Sequence, residues 1–258
     1  MNWKDVTIEG KAKMDEIQTF QKMIEGSTNI VVFTGAGIST ESGIPDFRSP
    51  GGLWEKNRPI DFSEFMSSPE ARKEAWRRKF AMEEVLGNAI PNSGHLAIAK
   101  LYEQQKIGAV ITQNIDGLHQ ASGIPEEDVI ELHGNTTYAK CLDCHERMSL
   151  DAVKVKFIPD EILPHCEKCG GIVKTATISF GQAMPVAEMR RAEEEALNCD
   201  LMIAIGSSLV VYPAADIPVL ARQNGANLVI LNREPTPLDG IATLTLNREI
   251  GETLSAVT

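Results

Sequence analysis

Five short, strongly apolar runs recur along the chain, and each stops at glycine or at short polar residues. Ile30-Val31-Val32-Phe33 runs into Thr34-Gly35-Ala36-Gly37, and Gly108–Thr112 into Gln113-Asn114-Ile115-Asp116. Val129-Ile130-Glu131-Leu132 meets His133-Gly134, Leu201–Ile205 meets Gly206-Ser207-Ser208, and Asn227–Leu231 ends at Asn232. Runs this short with no polar alternation are of the buried-strand type. Helix-like segments separate them, at Met14–Ile24, Ser93–Gln105 and about 186–198 and 214–224. Alternation of that kind predicts an α/β fold: a doubly wound, mainly parallel sheet. Open sheets of this kind bind ligands beyond the carboxyl ends of their strands. The polar clusters at 34–37, 113–116, 133–134, 206–208 and 232 are therefore expected to line one crevice.

Two stretches break the rhythm. Residues 50–90 are rich in charge and aromatics (Trp54, Phe62, Phe65, Trp76, Phe80), and Lys73–Val85 has helical character, so a helical insertion is expected there. Residues 138–178 carry Cys141-x2-Cys144 and Cys166-x2-Cys169, two knuckles separated by 21 residues. Paired CxxC elements at this spacing predict a tetrahedral Cys₄ zinc site, and four thiolates leave no position open for water, so the metal is expected to be structural. His145 and His165 flank the knuckles as second-choice ligands. The fifth cysteine, Cys199, is expected to be a packed core thiol.

Charge narrows the partners. The net charge is −11, while residues 138–178 hold equal numbers of basic and acidic residues, so the acidity lies elsewhere. Such a balance suits a basic peptide and disfavours nucleic acid, whose affinity comes mainly from Lys and Arg on phosphates. No membrane span and no apolar leader segment is legible, so a cytoplasmic protein is expected. Oligomeric state is not legible.

Single residues leave more open. Gly35-Ala36-Gly37 after a strand would let backbone approach a pyrophosphate, or would simply make a tight turn. Gly43 gives G-x-G-x5-G rather than the dehydrogenase spacing, and no acidic residue ends a second strand about 20 positions on, which argues against hydride transfer. His133 beyond a strand suits a general base or a satisfied structural histidine. Asn114 and Asp116 could form Asx turns. His95 and His119 are expected to be structural.

Longer strings decide between these readings. Gly35–Arg48 (GAGISTESGIPDFR), Thr112–His119 (TQNIDGLH), Glu131–Gly134 (ELHG), the CxxC pairs, Ile178–Gly181 (ISFG), Gly206–Leu209 (GSSL) and Asn232 occur in order. This set resembles the sirtuin family, over essentially residues 15–255. The resemblance implies an NAD-consuming protein lysine deacylase. It implies an NAD-binding Rossmann-like domain at 1–137 and 179–258, with the insertion at about 50–90, and a zinc-binding small domain at 138–178. Implied cofactor contacts are Gly35, Ala36, Gly37, Thr40, Asp46, Phe47, Arg48, Gln113, Asn114, Ile115, Asp116, His133, Gly206, Ser207, Ser208 and Asn232. Of these, Phe47 would shield the reactive ribose, Ile115 would wall the nicotinamide pocket, and His133, Asn114 and Asp116 would be catalytic. Ile178, Phe180 and Gly181 would hold the acyl-lysine peptide on a strand. Cys141, Cys144, Cys166 and Cys169 would bind the zinc.

The implied reaction starts with attack of the acyl oxygen on the ribose as nicotinamide leaves. His133 then helps deprotonate a ribose hydroxyl, which attacks the imidate carbon, and free lysine and O-acyl-ADP-ribose result. A sirtuin-like protein ADP-ribosyltransferase is the main alternative. A non-catalytic zinc-ribbon protein that binds nucleic acid is a remote one, because residues 138–178 are neutral and hold only Tyr138 and Phe157 as aromatics. Departures from the family pattern are Thr175 in place of a common proline, Gln182 in place of glutamate, and Ser207 in place of a common threonine. Sirtuins that take negatively charged acyl chains carry a Tyr-x-x-Arg pair. Here those positions fall on Lys79 and Met82, which predicts a preference for neutral acyl groups.

Overall fold

The computed structural model describes residues 3–46, 58–86 and 88–258. Its larger sheet is built from β1 (Ile30–Thr34), β2 (Ile107–Thr112), β3 (Val129–Glu131), β7 (Leu201–Ile205), β8 (Asn227–Leu231) and β9 (Leu244–Leu246). The spatial order is β3-β2-β1-β7-β8-β9, and every pairing is parallel. Counted among themselves, these strands run 3-2-1-4-5-6, the doubly wound order, with its switch point between β1 and β7.

Period-2 alternation assigns each strand's side chains to two separate cores. Ile30, Val32, Leu201, Ile203 and Ile205 pack with α1 (Trp3–Gly26), α4 (Ser93–Glu103) and α9 (Ile250–Ser255) through Phe20, Ile98, Leu101 and Leu254. Val31, Phe33, Met202 and Ala204 point the other way, onto Ala192 and Ala196 of α7 (Val186–Asn198) and Ile217 and Ala221 of α8 (Asp216–Gln223). A register shift between Ile30 and Val31 leaves Gly108 as an extra residue in β2, so Ile107 shares a core with Val110 while Ala109, two positions on, shares the other with Ile111. Cys199 is buried, and burial pushes its thiol up to about 11.

A second, antiparallel sheet holds β4 (Gly134–Cys141) between β5 (Arg147–Ser149) and β6 (Val173–Thr177), with α6 (Leu150–Phe157) packed on it. Of the insertion, the structure describes α2 (Phe62–Ser67) and α3 (Pro69–Leu86); Trp54 lies outside the described residues. Among its described residues, α3 packs on the cysteine module. Trp76 and Phe80 of α3 stack at 5.6 Å and share a core with Ala139, Cys141, Val153, Phe157, Cys166 and Val173 of the cysteine module. Arg77 to Glu161 and Lys154 to Glu83 flank that contact as ion pairs.

Several elements differ from their sequence readings. The helix read at Met14–Ile24 spans Trp3–Gly26, and the one read to Gln105 stops at Glu103. Gln105 itself has a φ of +59°, a left-handed conformation that a helix cannot continue. The segment read as a peptide-pairing strand ends its ladder at Thr177. Beyond it Gln182 folds back, its Oε1 accepting from Ser179 N at 3.1 Å and its own N–H donating to Ser179 O at 3.0 Å, so Ile178–Gly181 is a turn-bearing loop.

Candidate active site

At the switch point the two innermost loops meet backbone to backbone. Gly35 N donates to Ile205 O at 3.0 Å and Gly37 N to Gly206 O at 2.7 Å. A Cβ on Gly35 or Gly37 would lie 2.8 or 2.7 Å from Gly206 or Ser207 atoms, and one on Gly206 only 2.4 Å from Ile38 N. Gly206 also has a φ of +62°, which only glycine adopts freely. The glycines at 35, 37 and 206 thus let β1 and β7 close on each other and form the floor of a crevice.

That crevice is a cavity of about 720 Å³ lined from the carboxyl ends of β1, β2, β3, β7 and β8. Gly35, Ala36, Gly37, Thr40, Asp46, Gln113, Asn114, Ile115, His133, Gly206, Ser207, Ser208 and Asn232 all line it, with Ile178, Phe180 and Gly181 at one side. Asp116 stands behind this wall, and Phe47 and Arg48 lie outside the described residues.

Hydrogen bonds fix the wall. Asn114, 6% exposed, donates through Nδ2 to Gly35 O at 3.1 Å and to Ser39 Oγ at 3.2 Å. Ser39 Oγ donates in turn to Asp116 Oδ2 at 2.7 Å, and Leu118 N donates to Asp116 Oδ1 at 3.0 Å. Asn114 N donates to Thr112 Oγ1 at 3.0 Å, beside the buried Thr34 hydroxyl. Gln113 Nε2 reaches across the crevice to Ser207 Oγ at 2.8 Å. His133 Nδ1 lies 3.0 Å from the Gln113 carbonyl, an acceptor only, so Nδ1 carries the proton and Nε2 the lone pair a base needs. Ser39 was missed from sequence as a distinct contributor. Its only signal is its place inside the string GAGIST, since a serine in a glycine-rich loop has many local uses.

Beneath the wall sit two fully buried histidines, His95 and His119, with ring centroids 5.1 Å apart. Asn92 N donates to His95 Nδ1 in a capping box, and His119 Nε2 meets Thr34 Oγ1 at 2.9 Å. Burial holds His95 down to about 4, against the opposing pull of Asp116 and Glu41. Burial, then the neighbouring His95, holds His119 down to about 3. Both rings are neutral at physiological pH and act as structural struts.

Among the described lining residues the cations are Arg233 and Arg248, which pair with Glu249 and Glu16. The apolar lining residues include Ile60, Ile115, Ile178, Phe180, Met184 and Val210, and Ile178 N donates to His133 O at 2.8 Å. Lys79 and Met82 do not line the cavity. Lys79 lies beside Glu83 and Lys154, with burial lowering its pKa.

The four knuckle cysteines converge as the sequence predicts. Their sulfurs all lie within 4.8 Å of one another, with Cys141–Cys169 and Cys144–Cys166 each at 3.5 Å. Tetrahedral zinc with bonds of about 2.3 Å spaces its sulfurs about 3.8 Å apart, so the four fit that ion. Among the described residues neither His145 nor His165 joins the cluster.

Comparison with known proteins gives concordant matches. Residues 35–213 match the family model described as the Sir2 family. The chain is 59% identical over 238 residues to an NAD-dependent protein deacetylase of Rhodopseudomonas palustris, covering 92% of this chain and 94% of that protein. A solved Sir2 with a p53 peptide and NAD⁺ superposes at a TM-score of 0.81 and 40% identity, covering 93% of this chain and 96% of the other. Another, with a deacetylated p53 peptide and 3′-O-acetyl ADP-ribose, gives 0.83 and 38%, covering 94% and 97%.

Proposed function

The chain belongs to the Sir2 family, and from that premise we propose how its crevice works as an NAD-dependent protein lysine deacylase. NAD is the co-substrate and zinc the structural metal. The observation that carries the reading is convergence. His133, Asn114 and the Gly35–Gly206 floor come from strands far apart in sequence and line one cavity at the switch point.

NAD supplies an electrophilic ribose carbon whose leaving group is nicotinamide. The adenosine end of the dinucleotide is assigned to Ser207, Ser208 and Asn232, and the phosphates to the turn at Gly35, Ala36, Gly37 and Thr40. Asp46, which lines the cavity, and Phe47 and Arg48 are assigned to cofactor binding, with Phe47 shielding the reactive ribose. Gln113, Asn114, Ile115 and Asp116 are assigned to the nicotinamide ribose and nicotinamide. Binding energy from the remote half holds the reactive half in place. His133 takes the proton at Nε2, oriented by its Nδ1–H bond to the Gln113 carbonyl. The acyl-lysine chain enters past Phe180 and Gly181, and the loop Ile178–Gly181 offers backbone to the peptide.

We assign residues 1–137 and 179–258 to the NAD-binding domain and 138–178 to the zinc-binding one. Within the first of these, α3 is the segment that packs against the zinc-binding domain, through Trp76 and Phe80. Among the described residues no helix is long and apolar enough to cross a membrane.

Mass spectrometry of an acetyl-lysine peptide incubated with enzyme and NAD tests the reaction. Loss of the acetyl mass with formation of O-acetyl-ADP-ribose is expected. A protein or peptide that gains ADP-ribose mass and keeps its acetyl group would point to ADP-ribosyl transfer instead.

A further inference from the structure

Glu131 is the last residue of β3 and lies two positions before His133. Among the described residues it makes no ion pair. Its Oε1 instead accepts from two amides, Gln120 Nε2 at 2.7 Å and Asn135 Nδ2 at 2.6 Å. Gln120 sits on α5 (Leu118–Ala121), the short helix that ends the loop bearing Asn114, Ile115 and Asp116. Asn135 lies two residues after His133, is 6% exposed, and accepts through Oδ1 from Thr137 N and Thr137 Oγ1, each at 2.7 Å. One carboxylate oxygen therefore ties the far ends of two loops together.

The near ends are tied by the backbone. Leu132 N donates to Thr112 O at 2.9 Å and Thr136 N to Ile115 O at 2.8 Å, with the His133–Gln113 contact between them. The parallel ladder of β2 and β3 is thus continued past its last residue pair, Thr112 and Glu131, by a lacing of the two loops. Gly134, at a φ of +73°, lets the chain turn sharply within that lacing. Burial raises the pKa of Glu131, and the two amide donors oppose that rise by favouring the ionised form.

We propose that Glu131 is a positioning residue for His133: with Gln120 and Asn135 it sets the angle of the base-bearing turn against the loop that carries Asn114 and Asp116. This rests on the reading of His133 as the base. Misplacing a catalytic group by a fraction of an ångström lowers turnover while leaving substrate binding largely in place.

Glu131→Ala, Glu131→Gln, Asn135→Ala and the Ala/Ala double variant are measured with NAD and acetyl-peptide, beside His133→Ala. Glu131→Ala is expected to lower kcat about tenfold with KM for NAD changed less than about twofold, since orientation rather than binding is lost. Glu131→Gln is expected to stay within about threefold, because its amide oxygen keeps both acceptor lone pairs. Asn135→Ala should resemble Glu131→Ala, and the double variant should be no worse than the poorer single, as for two ends of one contact. Should Glu131→Ala fold poorly, Asn135→Ala carries the test. A kcat within twofold of the parent, a Gln variant as slow as the Ala variant, or losses that multiply in the double variant overturns the proposal. If His133→Ala itself turns over normally, the base assignment fails instead.

Discussion

The two sheets are held together by different physics. The parallel sheet is buried on both faces, with a full apolar layer on each side. The three-stranded sheet has a core of eight buried residues, two of them cysteine and two borrowed from α3. A core that small rarely supports a fold alone, which is why small modules recruit a metal. The difference teaches where function can be disturbed without unfolding. On the proposed assignment the chemistry sits on the self-sufficient sheet, and the module beside it depends on an ion.

The largest expected effect tests that dependence directly. Cys141→Ser, or stripping zinc with a chelator, removes on the order of 10 kcal/mol from the module. Hydrogen exchange should then show β4 and β6 losing protection while β1 and β7 keep theirs. Uniform loss across both sheets, or no zinc in the native protein by elemental analysis, breaks the comparison.

The next separates chemistry from both scaffolds. His133→Ala is expected to lower kcat by about 10²–10⁴-fold, the usual range for a lost general base, with the melting temperature nearly unchanged. Turnover close to the parent's removes His133 from its role.

Acid sharpens the contrast, because both buried histidines belong to the large sheet's side. Their folded values lie below the ordinary 6.5, at about 4 and about 3, so the folded state favours the neutral rings. Above pH 6.5 neither affects stability. As pH falls below 6.5 the unfolded chain takes up protons that the folded chain refuses, and stability drops. By pH 5 the loss is about 2 kcal/mol for each ring. Denaturant melts between pH 7.5 and 5 should show it, and His119→Gln should flatten the slope. An unchanged slope in that variant means the ring titrates freely when folded.

The smallest effect concerns the apolar end of the crevice. The described cations that line the cavity, Arg233 and Arg248, are already paired with Glu249 and Glu16, so a buried succinyl carboxylate would lack a partner of its own. Acetyl-lysine is expected to exceed succinyl-lysine in kcat/KM by about tenfold or more, equivalent to roughly 1.4 kcal/mol. Equal rates on the same peptide would place an undescribed cation in the pocket.

The sequence reads most clearly where one physical signal dominates. Leu201–Ile205 and Val186–Asn198 carry unmixed strand and helix patterns, and both appear with the boundaries their residues suggest. The strand ends, and so the crevice, follow from the same signal. Illegible were features that depend on a partner distant in the chain. β9 is three residues long and exists because β8 lies beside it. Trp76 and Phe80 look like any amphipathic pair until the cysteine module covers them. Lys79 cannot be aimed without knowing that Glu83 and Lys154 lie beside it. Glu131 reads as the polar end of a strand, since nothing local announces Gln120 and Asn135 as its partners.

The glycine floor also sets which positions can drift. With backbone atoms waiting at 2.4–2.8 Å, even a methyl at Gly35, Gly37 or Gly206 must wedge β1 from β7 at the seam where the sheet changes direction. Retuning toward an altered dinucleotide has to come from the rim, where Asn232, Arg233 and Glu249 meet the cavity through side chains rather than backbone. A library randomised at the rim should return folded variants; one randomised at the seam should return almost only the parent.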